Sequence, residues 1–87
     1  MVDQEQEALH AYVELVRFLA SSLLQNEVEI EVKGEAGREQ LRIALHVPES
    51  HRGRVIGKGG RIARAIRTLL NSAAIANHKP VILDIVD

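Results

Sequence analysis

The segment Gly57-Lys58-Gly59-Gly60 contains the residue types best suited to holding an anion. Glycine adopts positive φ without strain and lets another backbone approach closely, because it has no Cβ atom. Apolar residues recur at helical spacing from Ile62 onward, and so the segment leads into the first turn of a predicted helix. Free N–H groups and the helix dipole attract negative charge there. With Lys58 in the loop and Arg61 just after it, these features predict a clamp for phosphate groups.

Two other glycine-rich motifs match this segment poorly. A P-loop has four residues between its glycines, followed by Lys and then Ser or Thr, after a strand. Here three residues separate Gly53 from Gly57, Gly59 follows Lys58, and no strand is predicted before them. The dinucleotide-binding fingerprint requires a third glycine where Ile62 stands. Both nucleotide-binding interpretations are therefore weak.

Basic residues concentrate in the second half of the chain. The formal net charge is −1, but residues 1–50 hold ten acidic and four basic side chains, whereas residues 51–83 hold seven basic side chains and no acid. An ordinary solvated helix face mixes acids among its bases at i,i+4 spacing. The acid-free block therefore predicts an anionic partner. Its basic members are Arg52, Arg54, Lys58, Arg61, Arg64, Arg67 and Lys79.

The remaining reactive side chains do not suggest catalysis or metal binding. The chain has no cysteine, and no two of its four histidines have the i,i+4 spacing of a zinc-binding pair. Glu29 and Glu31 would share one face of a strand, where solvation explains them better than a catalytic pair does. No nucleophile–base pair or cofactor motif is present. We therefore expect a protein that is not an enzyme and binds no metal or cofactor.

Length and hydropathy predict one domain without a membrane span. The 87 residues, of which 46% are apolar, suffice for one core and leave no room for a second. The first eight residues are acidic and polar, unlike a signal peptide. No apolar run approaches the length that a membrane span needs. We expect residues 1–87 to form a single cytoplasmic domain.

Six predicted elements position the glycine segment. Helical spacing of apolar residues, alternation of apolar and polar residues, and turn-forming residues between them predict the order α-β-β-α-α-β. The first two strands should form a hairpin with Gly34 and Gly37 in its loop, and Ser50 is a candidate N-cap for the second helix. The predicted ranges are helix 5–25, strand 28–32, strand 41–47, helix 50–56, helix 61–77 and strand 81–86.

The connection between the second and third strands predicts the sheet topology. Strands 41–47 and 81–86 are joined through two helices, and so they should run parallel with a right-handed crossover. The fold class is therefore α+β, with a three-stranded mixed sheet and helices on one face. The last helix should present one apolar stripe, formed by Ile62, Ile66, Leu69, Ala73 and Ala76.

The segment Val55-Ile56-Gly57-Lys58-Gly59-Gly60 between two helices resembles the I-G-x-x-G signature of KH domains, whose G-x-x-G loop clamps about four nucleotides. The preceding α-β-β arrangement is similar to the type II, prokaryotic KH topology. The longer segment 53–67 resembles the small bacterial KH proteins of the KhpA type, and this resemblance extends over the whole chain. It implies binding of single-stranded RNA, a role as post-transcriptional regulator or RNA chaperone, and pairing with a second copy or with a larger KH-containing protein of the Jag type.

The resemblance also implies a groove with two walls. One wall would come from helix 50–56, the loop and the start of helix 61–77, and the other from strand 81–86 with His78 and Lys79. Apolar contact under the bases would come from three of the candidates, Val55, Ile56 and Ile62. Ordinary core packing is the alternative for all three and explains Ile62 at least equally well. Arg64 and Arg67 would contact flanking RNA or face water. The candidate RNA-binding residues are Arg54, Val55, Ile56, Gly57, Lys58, Gly59, Gly60, Arg61, Ile62 and Arg64.

A second class of function is a protein-interaction module, in which the KH fold serves chiefly to dimerise and RNA binding is secondary. The lysine-containing loop favours RNA binding over this alternative. The first helix nevertheless carries a second apolar stripe, in which Leu15 and Phe18 exceed what a one-sided helix needs. We therefore expect a dimer, paired either through this helix or through helix 50–56 and the loop.

Overall fold

Three helices and three strands follow one another in the predicted order. The computed structural model describes residues 4–74 and 79–86, with the side chains of residues 73 and 74 left out. A single 3-10 turn, Lys58–Gly60, joins the second and third helices. The elements are α1 (Gln4–Leu23), β1 (Glu31–Ala36), β2 (Leu41–His46), α2 (Glu49–Ile56), α3 (Arg61–Ala74) and β3 (Val81–Val86).

The three strands form one mixed sheet in the order β1-β2-β3. β1 and β2 are antiparallel, with Val32 opposite Leu45. β2 and β3 are parallel, with Leu41 opposite Val81. This confirms the predicted α+β class and the parallel pairing across the two-helix connection.

The helices cover one face of the sheet, as predicted. Alternate residues of the strands, namely Leu41, Ile43 and Leu45 of β2 with Val81 and Leu83 of β3, are buried, because successive strand side chains point to opposite faces. α1 and α3 each bury an apolar stripe against these strand residues. The stripes consist of Leu9, Tyr12, Val16 and Ala20 on α1, and of Ala63, Ile66 and Leu70 on α3.

The first strand lies further along the chain than its sequence pattern indicates. β1 begins at Glu31 and includes Gly34, so the prediction of a strand over 28–32 with Gly34 in the loop is wrong. α1 crosses the strand at this glycine, where a Cβ atom would lie 2.7 Å from Val13 Cγ2 and 3.0 Å from Leu9 Cδ1. Glycine suggests a loop in the sequence, but here it permits close packing of a helix on a strand.

The start of α2 also differs from its prediction. The helix begins at Glu49 with Pro48 at the N-cap position, and no side chain caps it. Ser50 lies inside the helix, where its Oγ is 2.8 Å from His51 Nδ1. The φ of Pro48 is −54°, and the proline ring holds φ in this range without help from a capping side chain. The assignment of Ser50 as N-cap is therefore wrong.

The apolar stripe of α3 is shifted from the predicted one. Ala63, Ile66 and Leu70 are buried, whereas Leu69 is 47% exposed. The predicted and observed stripes share Ile66 and lie on adjoining sides of the helix, and only packing distinguishes them. The side chains of Ala73 and Ala76, and the predicted helix end at residue 77, lie outside the described residues.

Candidate nucleic-acid interface

Gly57 ends α2 in a conformation that only glycine adopts readily. Its N–H donates a hydrogen bond to the Gly53 carbonyl at 2.8 Å, and its φ and ψ are 79° and 168°, a region populated essentially by glycine. A Cβ atom at this position would lie 2.6 Å from Ile62 Cγ1 and 2.9 Å from the Ile62 nitrogen. The turn therefore requires glycine for two reasons, and Ile62 packs directly against it.

Gly59 and Gly60 present an open surface instead. Both have positive φ, of 64° and 77°, and the Gly60 N–H donates to the Gly57 carbonyl at 3.0 Å. A Cβ atom at either glycine would meet nothing within 4 Å. The outward side of the loop is thus accessible to a ligand, whose backbone can approach these two residues without meeting a side chain.

The first turn of α3 follows the loop directly and carries no acidic residue. Helices usually place acids at this end, because the free N–H groups carry partial positive charge. Here the charged residues of the loop and of this first turn, Lys58, Arg61 and Arg64, are all basic and exposed. None of the ion pairs among the described residues involves these three. The helix start and its neighbours thus leave an uncompensated positive site for an external anion.

The apolar candidates lie beneath this surface to different depths. Val55 is fully buried in the core, so core packing, and not contact under the bases, describes its side chain. Ile56 is half-buried at the end of α2. Ile62 is also half-buried, packed against the core and behind Gly57. Ile56 and Ile62 retain exposed surface for a ligand, whereas Val55 supports the loop from within.

The basic residues that are grouped in the sequence have different contacts in the folded chain. Lys79 Nζ lies 2.7 Å from Glu5 Oε2 and donates to the Gly37 carbonyl at 3.0 Å. It therefore joins the first turn of α1, the β1–β2 turn and the chain entering β3, instead of offering its charge to a groove. His78, the other residue predicted for that wall, lies outside the described residues.

Arg67 and Asn71 connect α3 to the outer edge of β3. Arg67 Nη2 donates to the Leu83 carbonyl at 3.2 Å, and Asn71 Oδ1 accepts from the Val81 N–H at 3.0 Å. Arg67 is exposed, and this contact ties one end of its guanidinium to β3. Asn71 was not among the predicted site residues, although its i,i+4 spacing from Arg67 indicated that both share one helix face.

An apolar groove of about 450 Å³ separates α1 from α3. Leu19 and Leu23 of α1 line one side, Ala65 and Leu69 of α3 line the other, and Arg61 and Ile62 also contribute to it. Phe18, one helical turn before Ser22 of the same groove, is 68% exposed. Large exposed apolar side chains beside a groove are typical of interaction surfaces. The contribution of α3 was not predicted, because Leu69 was placed in the single apolar stripe of that helix.

Within residues 4–74 and 79–86, no three His, Asp or Glu side chains lie close enough together to hold a metal ion. In the same part of the chain, no helix has the length and apolar character needed to cross a bilayer.

A comparison with protein families identifies the fold. The model described as KhpA/KhpB, KH domain, matches residues 13–85, which include the glycine loop. This chain belongs to the KhpA/KhpB KH-domain family. KH domains are RNA-recognition modules whose G-x-x-G loop holds the nucleic-acid backbone, and so the family is one of binding modules and not of enzymes, as expected.

Relatives in the KhpA/KhpB family match most of this chain. The RNA-binding protein KhpA of Clostridium perfringens is 41% identical over 84% of this chain and 97% of its own length. That of Caldanaerobacter subterraneus is 44% identical over 84% of this chain and 97% of its own, and that of Borreliella burgdorferi is 40% identical over 86% and 92%. No solved structure matches the chain.

Proposed function

We propose that this chain binds short single-stranded RNA by clamping its phosphate backbone at loop 57–60 and the start of α3. The observation that carries the proposal is the pairing of an open loop face at Gly59 and Gly60 with an acid-free helix start beside it. Relatives that share the family are named RNA-binding proteins. Backbone amides, the helix dipole and unpaired cations together favour phosphate at this position.

The same surface favours a single strand over a duplex. A G-x-x-G loop holds about four nucleotides, and Ile56 and Ile62 beneath it offer apolar surface to unpaired bases. Base stacking on rings contributes little, because the chain has one Tyr and one Phe, of which Tyr12 is buried and Phe18 lies on α1. Recognition therefore depends on the backbone more than on base identity.

A backbone clamp of this size suits a role as post-transcriptional regulator or RNA chaperone in the cytoplasm. Contacts to phosphate do not read base sequence, and so many transcripts can be accepted. We propose that residues 1–87 act as one domain. A single groove that holds about four nucleotides binds weakly, and a second groove in the same particle would raise the avidity.

Replacing Lys58 and Gly59 with Asp tests the proposal. The double variant places negative charge where phosphate would bind, and Asp tolerates the left-handed conformation of Gly59 better than most residues do. We expect no measurable binding of a short, unstructured, fluorescently labelled oligoribonucleotide by anisotropy. Circular dichroism and thermal melting should show that the variant is folded.

Lys33→Asp is the control for charge reversal, because Lys33 is exposed on β1 and pairs with Glu31. This variant should bind RNA nearly as well as the unmodified protein. Unchanged affinity in a folded Lys58/Gly59 variant would rule out the loop as the binding site.

We further propose that two copies pair through the α1–α3 groove. Phe18 and Leu69 expose 68% and 47% of their surfaces. Large apolar side chains exposed beside a groove are typical of interaction surfaces, because burying them against a partner is favourable. In a twofold dimer the contact is reciprocal, and so Phe18 of each copy would pack near the groove of the other. A larger KH-containing protein of the Jag type is the alternative occupant.

Sedimentation equilibrium across a dilution series tests the pairing. Phe18→Glu should shift the dimer toward monomer, because it places a charge in an apolar contact. Thr68→Glu, an exposed position on α3 next to Leu69, introduces the same charge and should dimerise normally. A monomeric mass of the unmodified protein at every concentration would reject self-association. A Phe18→Glu protein that still dimerises would move the interface to α2 and the loop.

A further inference from the structure

One basic residue beside the glycine loop already has an acidic partner within the chain. Arg54 Nη1 donates to Glu27 Oε2 at 2.9 Å. Arg54 lies in the last turn of α2, three positions before Gly57. Lys58, Arg61 and Arg64 are absent from the ion pairs among the described residues. An intramolecular carboxylate therefore contacts the cation at the α2 side of the loop.

The backbone holds Glu27 in this position. Gln25 and Asn26 follow α1 with left-handed φ values of 54° and 57°. Hydrogen bonds from Asn26 N to Ser21 O and from Glu27 N to Leu24 O, both 3.0 Å, close the turn. Leu24, fully buried, anchors the turn in the core. The carboxylate thus comes from a well-defined turn that reverses the chain beside α2.

Arginine binds a carboxylate and a phosphate with the same planar set of N–H donors. The side chains of Arg54 and Glu27 are 50% and 44% exposed, and a solvent-exposed pair of this kind is weak enough to exchange. The carboxylate also repels any phosphate that approaches the loop from this side. Glu27 therefore opposes phosphate binding twice, by occupying Arg54 and by its own charge.

We infer that Glu27 is a built-in competitor of RNA. The Glu27 carboxylate must release Arg54 before that arginine can contact a phosphate. The inference rests on the proposed RNA-binding function. Binding exchanges one anion for another at Arg54, so that this arginine adds less to affinity than its charge predicts. Glu27 thus limits the affinity of the site and keeps the clamp reversible.

Glu27→Gln tests the inference, with Glu14→Gln as its matched control. Glu14 pairs with Arg17 on α1, and the two side chains are 49% and 44% exposed. Each substitution removes one carboxylate from a half-exposed arginine pair, but only Glu27 touches a residue beside the loop. Both proteins are compared with the unmodified chain by anisotropy, using the same labelled oligoribonucleotide at several salt concentrations.

We expect Glu27→Gln to bind RNA about threefold more tightly than the unmodified protein, because one nearby repulsive charge is removed. Its log–log salt dependence should change little, because Arg54 contacts one phosphate in both proteins and the slope counts the phosphates neutralised, at about 0.7 each on a single strand. Glu14→Gln should change both quantities little. Adding Arg54→Met to Glu27→Gln should abolish most of the gain in affinity. Arg54→Met in the unmodified protein should lower affinity less than the same substitution does in the Glu27→Gln protein.

The outcomes separate this inference from the proposed function. If the unmodified protein binds RNA but Glu27→Gln matches Glu14→Gln, Glu27 is not a competitor and the RNA site stands. Weaker binding by Glu27→Gln would overturn the inference in the other direction, since Glu27 would then position Arg54 for RNA. If none of the proteins binds single-stranded RNA, the proposed function fails and this inference fails with it.

Discussion

Lys58 and Lys79 belong to the same acid-free stretch of sequence, yet the fold gives them opposite surroundings. Lys58 is exposed in a glycine loop, and no ion pair among the described residues includes it. Lys79 is 23% exposed and contacts Glu5 and the Gly37 carbonyl. A block of charge counted along a chain is therefore not a surface, because each cation finds its own partners after folding.

The acidic first half of the chain neutralises part of the basic second half. Glu5 contacts Lys79 and Glu27 contacts Arg54, although 74 and 27 positions separate the members of these pairs. Lys58, Arg61 and Arg64, which have no such acidic partner among the described residues, follow one another across the loop and the first turn of α3. The predicted anion site is therefore smaller than the basic block and centred on the loop.

Gly57→Ala should have the largest effect on the loop side of this comparison. The added Cβ would overlap Ile62 at 2.6 Å in a region of φ and ψ that excludes alanine, and we expect a loss of about 2–4 kcal/mol in the free energy of unfolding. Gly59→Ala should lose about 1 kcal/mol, since only its left-handed φ is strained. Urea denaturation measures both. Equal losses would show that contact with Ile62 does not constrain the turn.

Lys79→Met and Lys58→Met should have opposite consequences. Removing the contacts of Lys79 should lower the free energy of unfolding by about 1–2 kcal/mol and leave RNA affinity intact. Removing the charge of Lys58 should leave stability intact and weaken RNA binding by about 1 kcal/mol, roughly fivefold. Thermal melting and anisotropy of the same two proteins separate these effects. A Lys79→Met protein with full stability and weakened RNA binding would restore Lys79 to the groove.

Salt dependence provides the smallest but sharpest distinction between the two lysines. If about three or four phosphates are held, the log–log slope of affinity against salt should be roughly −2 to −3 for a single strand. Lys58→Met should make the slope shallower by about 0.7, and Lys79→Met should not change it. A slope near zero, or tighter binding of a duplex, would contradict a backbone clamp.

Local pattern was sufficient for much of the fold. The alternation in Leu41–His46 and the β-branched run Val81–Val86 predicted β2 and β3 to within one residue, because alternation leaves one face to bury and β-branched residues favour strands. The glycine loop between two helices was likewise evident, since glycines there interrupt strong helical periodicity. Gly34 was wrongly predicted to lie in a loop for a physical reason: its role is to let Leu9 and Val13 of α1 approach the strand.

The sequence alone determined the order of elements, the position of the loop and the sign of its charge, because these follow from local periodicity, chain connectivity and residue type. Only the tertiary structure decided which of the candidate side chains are buried, exposed or paired. It buried Val55, exposed Leu69, bound Lys79 to Glu5 and placed Glu27 against Arg54. Each of these depends on which side of a helix or turn meets a distant part of the chain. Such contacts are set by packing between elements and are absent from the pattern within any one of them.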